Sequence, residues 1–428
     1  MMKWTLFLVL WGWTAALHAE SYIILFKNQT NLVVGSDAHK QQMQNKRVNN
    51  SARIDKLLAA MGVSKAAIRY QDLWLVAGME MDLKAEDLPQ IQKLDFVERV
   101  LANKTRKYIA PVTRDAPVVV DPGWGLRRLN IDQIRQDFPE IGGQGVRVGV
   151  IDTGIQSRHP EFEKKNTVLF KDFVNGIAYP YDDNGHGTHV SGTIAGATTG
   201  VAPYVDLVVA KAFSATGSAS DAWLLNAMQW MYDPDGNPET ADYPHVISNS
   251  WGLDIPFDIM DMAEFEAFHR AIVAWTESDI IPVFAAGNSG TSPNGMPGGF
   301  PEVLSIAAID AVNNIADFSS RGPNYWRINK NVLNVFKPDL AAPGVDIYSA
   351  MPGNTYEYMS GTSMATPHAT GSIALVLQKT GRLSVADLKS ILLYSMEPKF
   401  DFDFGSGIIS PLAALHMIRE PMKRSLSR

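Results

Sequence analysis

Gly145-Val146-Arg147-Val148-Gly149-Val150-Ile151-Asp152-Thr153-Gly154 is the stretch from which the architecture of the chain can be worked out. Val146 to Ile151 is nearly all apolar, so it reads as a strand buried inside a sheet, with Asp152 at its carboxyl end. Further apolar runs at Leu207–Ala210, Val246–Ser250, Ile281–Ala286 and Val303–Ile309 read as strands. They alternate with helix-like stretches at Thr188–Ala197, Ser220–Tyr232, Met262–Glu277 and Ser363–Thr380. Such alternation predicts an α/β unit in which helices cover a mainly parallel sheet and the active site lies outside the carboxyl ends of the strands.

Composition narrows the chemistry. With 428 residues, 46% hydrophobic and 19% charged, the chain can bury a large core and form more than one domain. The absence of cysteine excludes disulfides, thiolate metal sites and a cysteine nucleophile. A net charge of −7 argues against nucleic acid as a partner. Gly142-Gly143-Gln144-Gly145 precedes its strand instead of following it, which disfavours a nucleotide site.

Three polar residues stand out, and each has an ordinary alternative. Asp152 at a strand end reads equally as a turn residue. His186 opens a helix of small residues; His189 could pair with it on a metal, but no third ligand follows at a suitable spacing, so zinc is disfavoured. Ser363 follows Gly361 and precedes Pro367, which suits a first helical turn, so Ser363 could be a plain N-cap. Together they supply the hydroxyl, imidazole and carboxylate that nucleophilic acyl transfer requires.

Their chain order and local contexts resemble the subtilisin-like serine proteases, through IDTG at 151–154, HGTHVSGT at 186–193 and GTSMATPH at 361–368. The resemblance covers about Trp124 to Ala414, and the turn Asp233-Pro234-Asp235-Gly236-Asn237-Pro238 is similar to the bacillopeptidase F-like branch. It implies a three-layer subtilisin-like fold and a serine endopeptidase working through an acyl-enzyme, with Asp152, His186 and Ser363 as the triad. Asn288, in Ala285-Ala286-Gly287-Asn288-Ser289-Gly290, would then donate to the oxyanion together with the N–H of Ser363. Gly217-Ser218-Ala219 and Ser250-Trp251-Gly252 would flank an extended substrate peptide. Asp254, Asp258 and Asp261 are candidates for selecting basic substrates, as a processing protease would.

The front of the chain reads as two further parts. Residues 1–19 carry one cation, Lys3, an apolar run from Trp4 to Trp13 and small residues up to Ala19, the pattern of a secretory signal peptide. Residues 20–108 form a small α+β unit, ferredoxin-like in element order: strands at Tyr22–Phe26, Ile68–Tyr70, Trp74–Met81 and Val97–Leu101, helices at Gln41–Met61 and Ala85–Leu94. Lys104–Asp121 reads as a linker, and 109–428 as the peptidase domain. From Glu20 to Thr113 there are 14 Lys and Arg against 10 Asp and Glu, and from Arg114 onward 23 against 35, an asymmetry that favours docking.

The resemblance makes the front unit a propeptide that assists folding, inhibits through its tail and is removed by autoprocessing between Asn103 and Val119. It implies a secreted monomer acting on peptides, with no membrane span and no cofactor needed for chemistry. Structural calcium is left open: Gly196–Pro203 offers no carboxylate ligands, Glu161 reads as an exposed loop residue, and Asp233, Asp235 and Asn237 are the remaining hard-oxygen candidates.

Overall fold

A computed structural model describes residues 19–27, 38–109, 112, 121–163, 168–254, 262–328 and 331–418. The signal-peptide segment up to residue 18, Asp258, Asp261 and most of the 110–120 segment lie outside the described residues.

The body is built on a nine-stranded sheet whose centre follows directly from the apolar runs. In spatial order it runs Val168–Asp172, Asp206–Lys211, Arg147–Asp152, Val246–Asn249, Ile281–Ala285, Leu304–Ile309, Leu340–Pro343, Gly405–Ile408 and Glu397–Asp401. All neighbours are parallel except the last pair, which is an antiparallel edge. Val246–Asn249, Ile281–Ala285 and Leu304–Ile309 are buried at every position, as a sheet covered on both faces requires. After Arg147–Asp152 the chain builds outward to one side, then returns and builds to the other from Val246–Asn249. That reversal opens a crevice beyond the two strand ends, with Asp152 on one lip and Ser250 on the other.

Two helices cross beneath the crevice. His186–Ala195 is buried throughout and packs on Thr362–Thr380. Its small residues also permit close approach to the strand Ile347–Met351: a Cβ on Gly192 would stand 2.5 Å from Ser349 Oγ. Ser220 is the N-cap of Asp221–Tyr232, accepting from Trp223 N, so this helix starts one residue later than its sequence pattern suggests.

The N-terminal unit is an antiparallel sheet in the order Tyr70–Leu73, Gly78–Leu83, Glu20–Phe26, Val97–Ala102, with helix Ala38–Ala60 on one face. The period of two in Glu20–Phe26 divides its side chains between two cores. Ile24 and Phe26 pack within the unit, whereas Ile23 and Leu25 join a cluster with Leu224, Leu225, Phe268 and Ala271 of the body. Trp74–Val76 is a 3₁₀ turn instead of the start of a strand, closed by Ala77 in the left-handed region at φ 54°. The second helix is only Leu88–Ile91.

Polar contacts frame this shared core. Gln229 accepts from Leu75 N at 2.9 Å and donates to Asp72 O at 2.9 Å. Arg270 Nη1 donates to Phe26 O at 2.7 Å and Val76 O at 3.2 Å. Arg47, Arg99 and Lys104 pair with Asp233, Glu266 and Glu264, in line with the charge asymmetry of the sequence. The expected linker departs most from its reading. Thr105–Lys107 is a strand, antiparallel to Ser218–Ser220, and the two form a sheet of their own, separate from the nine-stranded one.

Candidate active site

Asp152 leaves the sheet with its side chain fully buried. Its Oδ1 accepts from Thr153 N at 2.7 Å and bonds His186 Nδ1 at 2.8 Å. Its Oδ2 is buried and accepts no hydrogen bond among the described residues. Burial pulls the pKa of His186 down, but the Asp152 charge and hydrogen bond outweigh it, so the net shift is upward from 6.5. Nδ1 therefore carries a proton toward Asp152, which leaves Nε2 as the basic nitrogen.

The sequence does not single out the residue that clamps this pair, Asp182. One of its oxygens accepts from Thr153 Oγ1 at 2.9 Å, Asn184 N at 3.1 Å and Gly185 N at 2.9 Å. The other accepts from Thr188 N at 2.9 Å and Thr188 Oγ1 at 2.7 Å. The carboxylate thus satisfies orphan donors at the start of the His186 helix while tying it to the Asp152 strand. Asp183 and the fully buried Lys211 form a second brace, with Lys211 Nζ also bonding Thr153 O at 2.7 Å and Phe213 O at 2.9 Å. The sequence Asp182-Asp183-Asn184-Gly185, a turn signal before a helix, was the available hint.

Ser363 is the second residue of helix Thr362–Thr380. Pro367 is therefore inside the helix, not in its first turn, and its missing N–H leaves the carbonyl of Ser363 without a helical partner. Ser250 Oγ fills that role, donating to Ser363 O at 2.9 Å, while Ser363 Oγ donates to Ser250 O at 2.9 Å. Among the described residues no hydrogen bond joins Ser363 Oγ to His186. Asn288 Oδ1 accepts from Thr362 N and Thr362 Oγ1, both at 2.9 Å, which fixes the amide so that Nδ2 is the end left over. A Cβ built on Gly361 would be 3.5 Å from Ser363 N and 3.6 Å from Asn288 Nδ2, so these two donors border one small space. A strand-end carboxylate bonded to an imidazole, a hydroxyl at a helix start and two converging N–H donors are the parts of an acyl-transfer site.

Residues 143–407 match the model of the Subtilase family. The chain belongs to that family. It is 32% identical over 405 residues to Bacillopeptidase F of Bacillus subtilis (strain 168), covering 84% of this chain and 27% of that protein. It is 34% identical to Subtilisin DY of Bacillus licheniformis over 301 residues, 68% of this chain and 97% of the relative. Subtilisin Savinase of Lederbergia lenta is 33% identical over 297 residues, with 68% and 97% covered. This subtilase is accordingly a serine endopeptidase, a hydrolase with the subtilisin-like α/β fold and similar to the bacillopeptidase F branch.

Around the subtilase site, Gly217, Ser218 and Ala219 lie along one rim and Ser250, Trp251 and Gly252 along the other, with the chain's own residues 105–109 between them. Arg106 pairs with Ala219 and Lys107 with Ser218 in the ladder. Tyr108 N and Ile109 N both donate to Gly217 O at 3.2 Å, and Gly252 N donates to Tyr108 O at 3.3 Å. Trp251 is 1% exposed, and the ring it offers Tyr108 is a wall set in the core.

Of the calcium candidates, Asp233 and Asp235 have carboxylate oxygens within 4.8 Å of one another and of Asp242, and Asn237 Oδ1 accepts from Glu239 N, a turn contact. Arg47 of the N-terminal unit sits on Asp233 and also bonds Gly236 O at 3.1 Å, so a cation already faces this cluster. Glu161 is buried, not exposed. Its carboxylate accepts from Thr198 N, Thr198 Oγ1 and Tyr356 Oη at 2.5–2.9 Å, which ties down the loop and leaves little for an ion. His189 is buried too, bonds Ile347 O at 3.0 Å, and has its pKa driven down to about 3 mainly by burial.

Proposed function

We propose that this subtilase is exported and made as an autoprocessed zymogen, with 20–108 as propeptide and 109–428 as the peptidase domain. The observation that carries this reading is the segment 105–109 seated along both rims of the cleft, where an extended peptide substrate would pair. The N-terminal unit acts as an intramolecular inhibitor through that tail, and as a folding template through the core it shares with the body.

In the reaction, the Ser363 hydroxyl turns from Ser250 O toward His186 Nε2, gives up its proton there and attacks the scissile carbonyl. Asp152 keeps the imidazole oriented and stabilises the imidazolium. Asn288 Nδ2 and Ser363 N receive the oxyanion, His186 then protonates the leaving amine, and water resolves the acyl-enzyme. Because the His186 pKa is raised, kcat/KM should climb with pH to a midpoint above about 6.5, and Asp152→Asn should move that midpoint down while slowing turnover. A profile flat from pH 5 to 9 would speak against His186 as the base.

No cofactor enters these steps. If a structural calcium binds, Asp233, Asp235 and Asp242 are its hard-oxygen donors, in competition with Arg47. Partners are protein or peptide substrates and the chain's own N-terminal unit, and the active form is a secreted monomer.

The deciding experiment expresses the chain and its Ser363→Ala variant side by side, with intact mass and N-terminal sequencing of each. Loss of a segment ending between Asn103 and Val119 in the wild type alone upholds self-processing by Ser363. Two full-length products, or two products trimmed alike, contradict it.

A further inference from the structure

Residues two apart in an extended strand share a face, and Lys104, Arg106 and Tyr108 are such a set. All three meet carboxylates of the body. Lys104 pairs with Glu264, Arg106 Nη2 reaches Glu264 Oε1 at 3.0 Å and Asp221 Oδ2 at 3.4 Å, and Tyr108 Oη donates to Asp221 Oδ1 at 2.5 Å. The last contact differs from the others in depth. Tyr108 is 4% exposed and Asp221 5%, whereas Lys104 and Glu264 remain partly open to solvent.

Asp221 is the first residue of helix Asp221–Tyr232, where an acidic side chain has the plain role of complementing the helix dipole. That role is served at the surface and does not call for burial. Here the carboxylate lies at the bottom of a slot whose walls are Phe213 and Trp251, with ring centroids 6.0 and 5.8 Å from that of Tyr108. Burial is the first cause raising the pKa of both Asp221 and Tyr108, consistent with a dry contact. Once the tail leaves, the slot keeps apolar sides and a carboxylate floor. A phenylalanine would fill the sides and leave Asp221 Oδ1 desolvated without its donor, since Arg106 reaches Oδ2, a penalty that falls on the analogue lacking the hydroxyl.

We propose that Asp221 is a specificity residue: in peptide substrates the slot selects tyrosine at the place Tyr108 takes, and the Asp221–Glu264 pair favours lysine or arginine two residues before it. This deepens, and rests on, the reading that the tail lies as a substrate does. It also relocates the selection of basic residues from Asp254 and its neighbours to the start of the Asp221–Tyr232 helix.

The test uses the enzyme released from the full chain by its own processing, with peptides copying residues 104–119 and cuts located by mass. Replacing the tyrosine by phenylalanine should lower kcat/KM by about ten- to a hundredfold, the range for losing a hydrogen bond to a buried charged group. In Asp221→Leu the ratio of tyrosine to phenylalanine peptides should fall to one or below. Equal rates for the two peptides with wild-type enzyme overturn the proposal.

A second measurement stands apart from catalysis. In the Ser363→Ala full chain, amide exchange at Tyr108 and Ile109, the donors to Gly217 O, should quicken at least about tenfold on Tyr108→Phe. It should quicken much less when Asp221→Leu is already present, since the two side chains act as one unit. If no peptide is cut, the enzymatic reading has failed, and the exchange data alone uphold the slot or, if Tyr108→Phe changes nothing, sink it.

Discussion

On one side of the cleft Asp152, Thr153, Asp182 and His186 are linked in one chain of buried and half-buried hydrogen bonds, all within the body. On the other side Gly217–Ser220 and Gly252 present a backbone edge whose partner is a strand of the N-terminal unit. The first side is preorganised for chemistry by residues that no substrate has to supply. The second is a single strand and a neighbouring backbone N–H, paired by whichever extended chain lies along them. An acyl-transfer site needs both, because charge stabilisation must be fixed in advance whereas recognition must be exchangeable.

The largest test of this contrast removes the chemistry and leaves the recognition. Ser363→Ala or His186→Ala should lower turnover by about 10⁶ and Asp152→Ala by about 3 × 10⁴, magnitudes measured on the subtilisin triad and carried over to this relative. None of the three should expose residues 105–109 to a foreign protease in the full chain. A triad variant whose tail becomes cleavable would show that the two sides are coupled.

The chemical side was the more legible in the sequence for a physical reason. Its parts are contiguous motifs at element boundaries: Asp152 at the end of an apolar strand, His186 at the start of a small-residue helix, Ser363 after Gly361. The doubly buried strands likewise announced the parallel sheet. What the sequence concealed depends on long-range pairing. Thr105–Lys107 is polar and has no apolar alternation, so nothing local marks it as a strand. The bond between Tyr108 and Asp221 joins residues 113 apart, and Asp182 reads as one more turn aspartate until the two strands it bridges are in place. Pro367 suits a first helical turn by its local sequence, but the helix begins at Thr362, which puts the proline beyond that turn.

The next effect, in acid, belongs to histidines behind the chemical side. Burial lowers the pKa of His189 to about 3 and of His368 to about 4, so both are neutral in the fold and charge more readily when unfolded. With folded values below 6.5, their contribution is complete above that pH and is lost as pH falls toward 4 and then 3. Each should contribute a slope of about 1.4 kcal/mol per pH unit in that window. Urea midpoints from pH 7 to 4.5 on Ser363→Ala protein would measure it, and His189→Asn or His368→Asn should each flatten the slope by about one proton. An unchanged slope in both variants would assign acid sensitivity to other groups.

On the recognition side, Arg270 is the cation to remove. Its side chain is 10% exposed, and its loss would orphan the carbonyls of Phe26 and Val76 at the seam between the units. A cost of about 1–3 kcal/mol follows for buried acceptors left unpaired. In the Ser363→Ala background, Arg270→Ala should therefore raise the protease sensitivity of the N-terminal unit at least about fivefold. The partly exposed Lys40–Glu239 pair should matter far less, with Lys40→Ala costing under about 1 kcal/mol. Equal effects of the two substitutions would mean that the seam is held by general charge attraction and not by the buried guanidinium.

The smallest expected effect comes from chelation, and it bears on the same seam. Arg47 already supplies a cation to Asp233 within the Asp233, Asp235 and Asp242 group, while Asp235 spends both oxygens on Asn237 N and Thr240 Oγ1. Burial, the main influence on Asp233 and Asp242, raises the pKa of each, and Arg47 only partly offsets it at Asp233. Arg47 sits on Asp233 Oδ2, while Asp233 Oδ1 and Asp242 Oδ1 accept no hydrogen bond among the described residues, so a divalent ion would share Asp233 with the guanidinium and meet its repulsion. Adding a chelator to the Ser363→Ala full chain should shift Tm by less than about 1 °C, under about 1 kcal/mol for a protein of this size. A drop of several degrees, reversed by calcium and absent in Asp242→Asn, would instead make the acidic turn an ion site that the N-terminal unit shares.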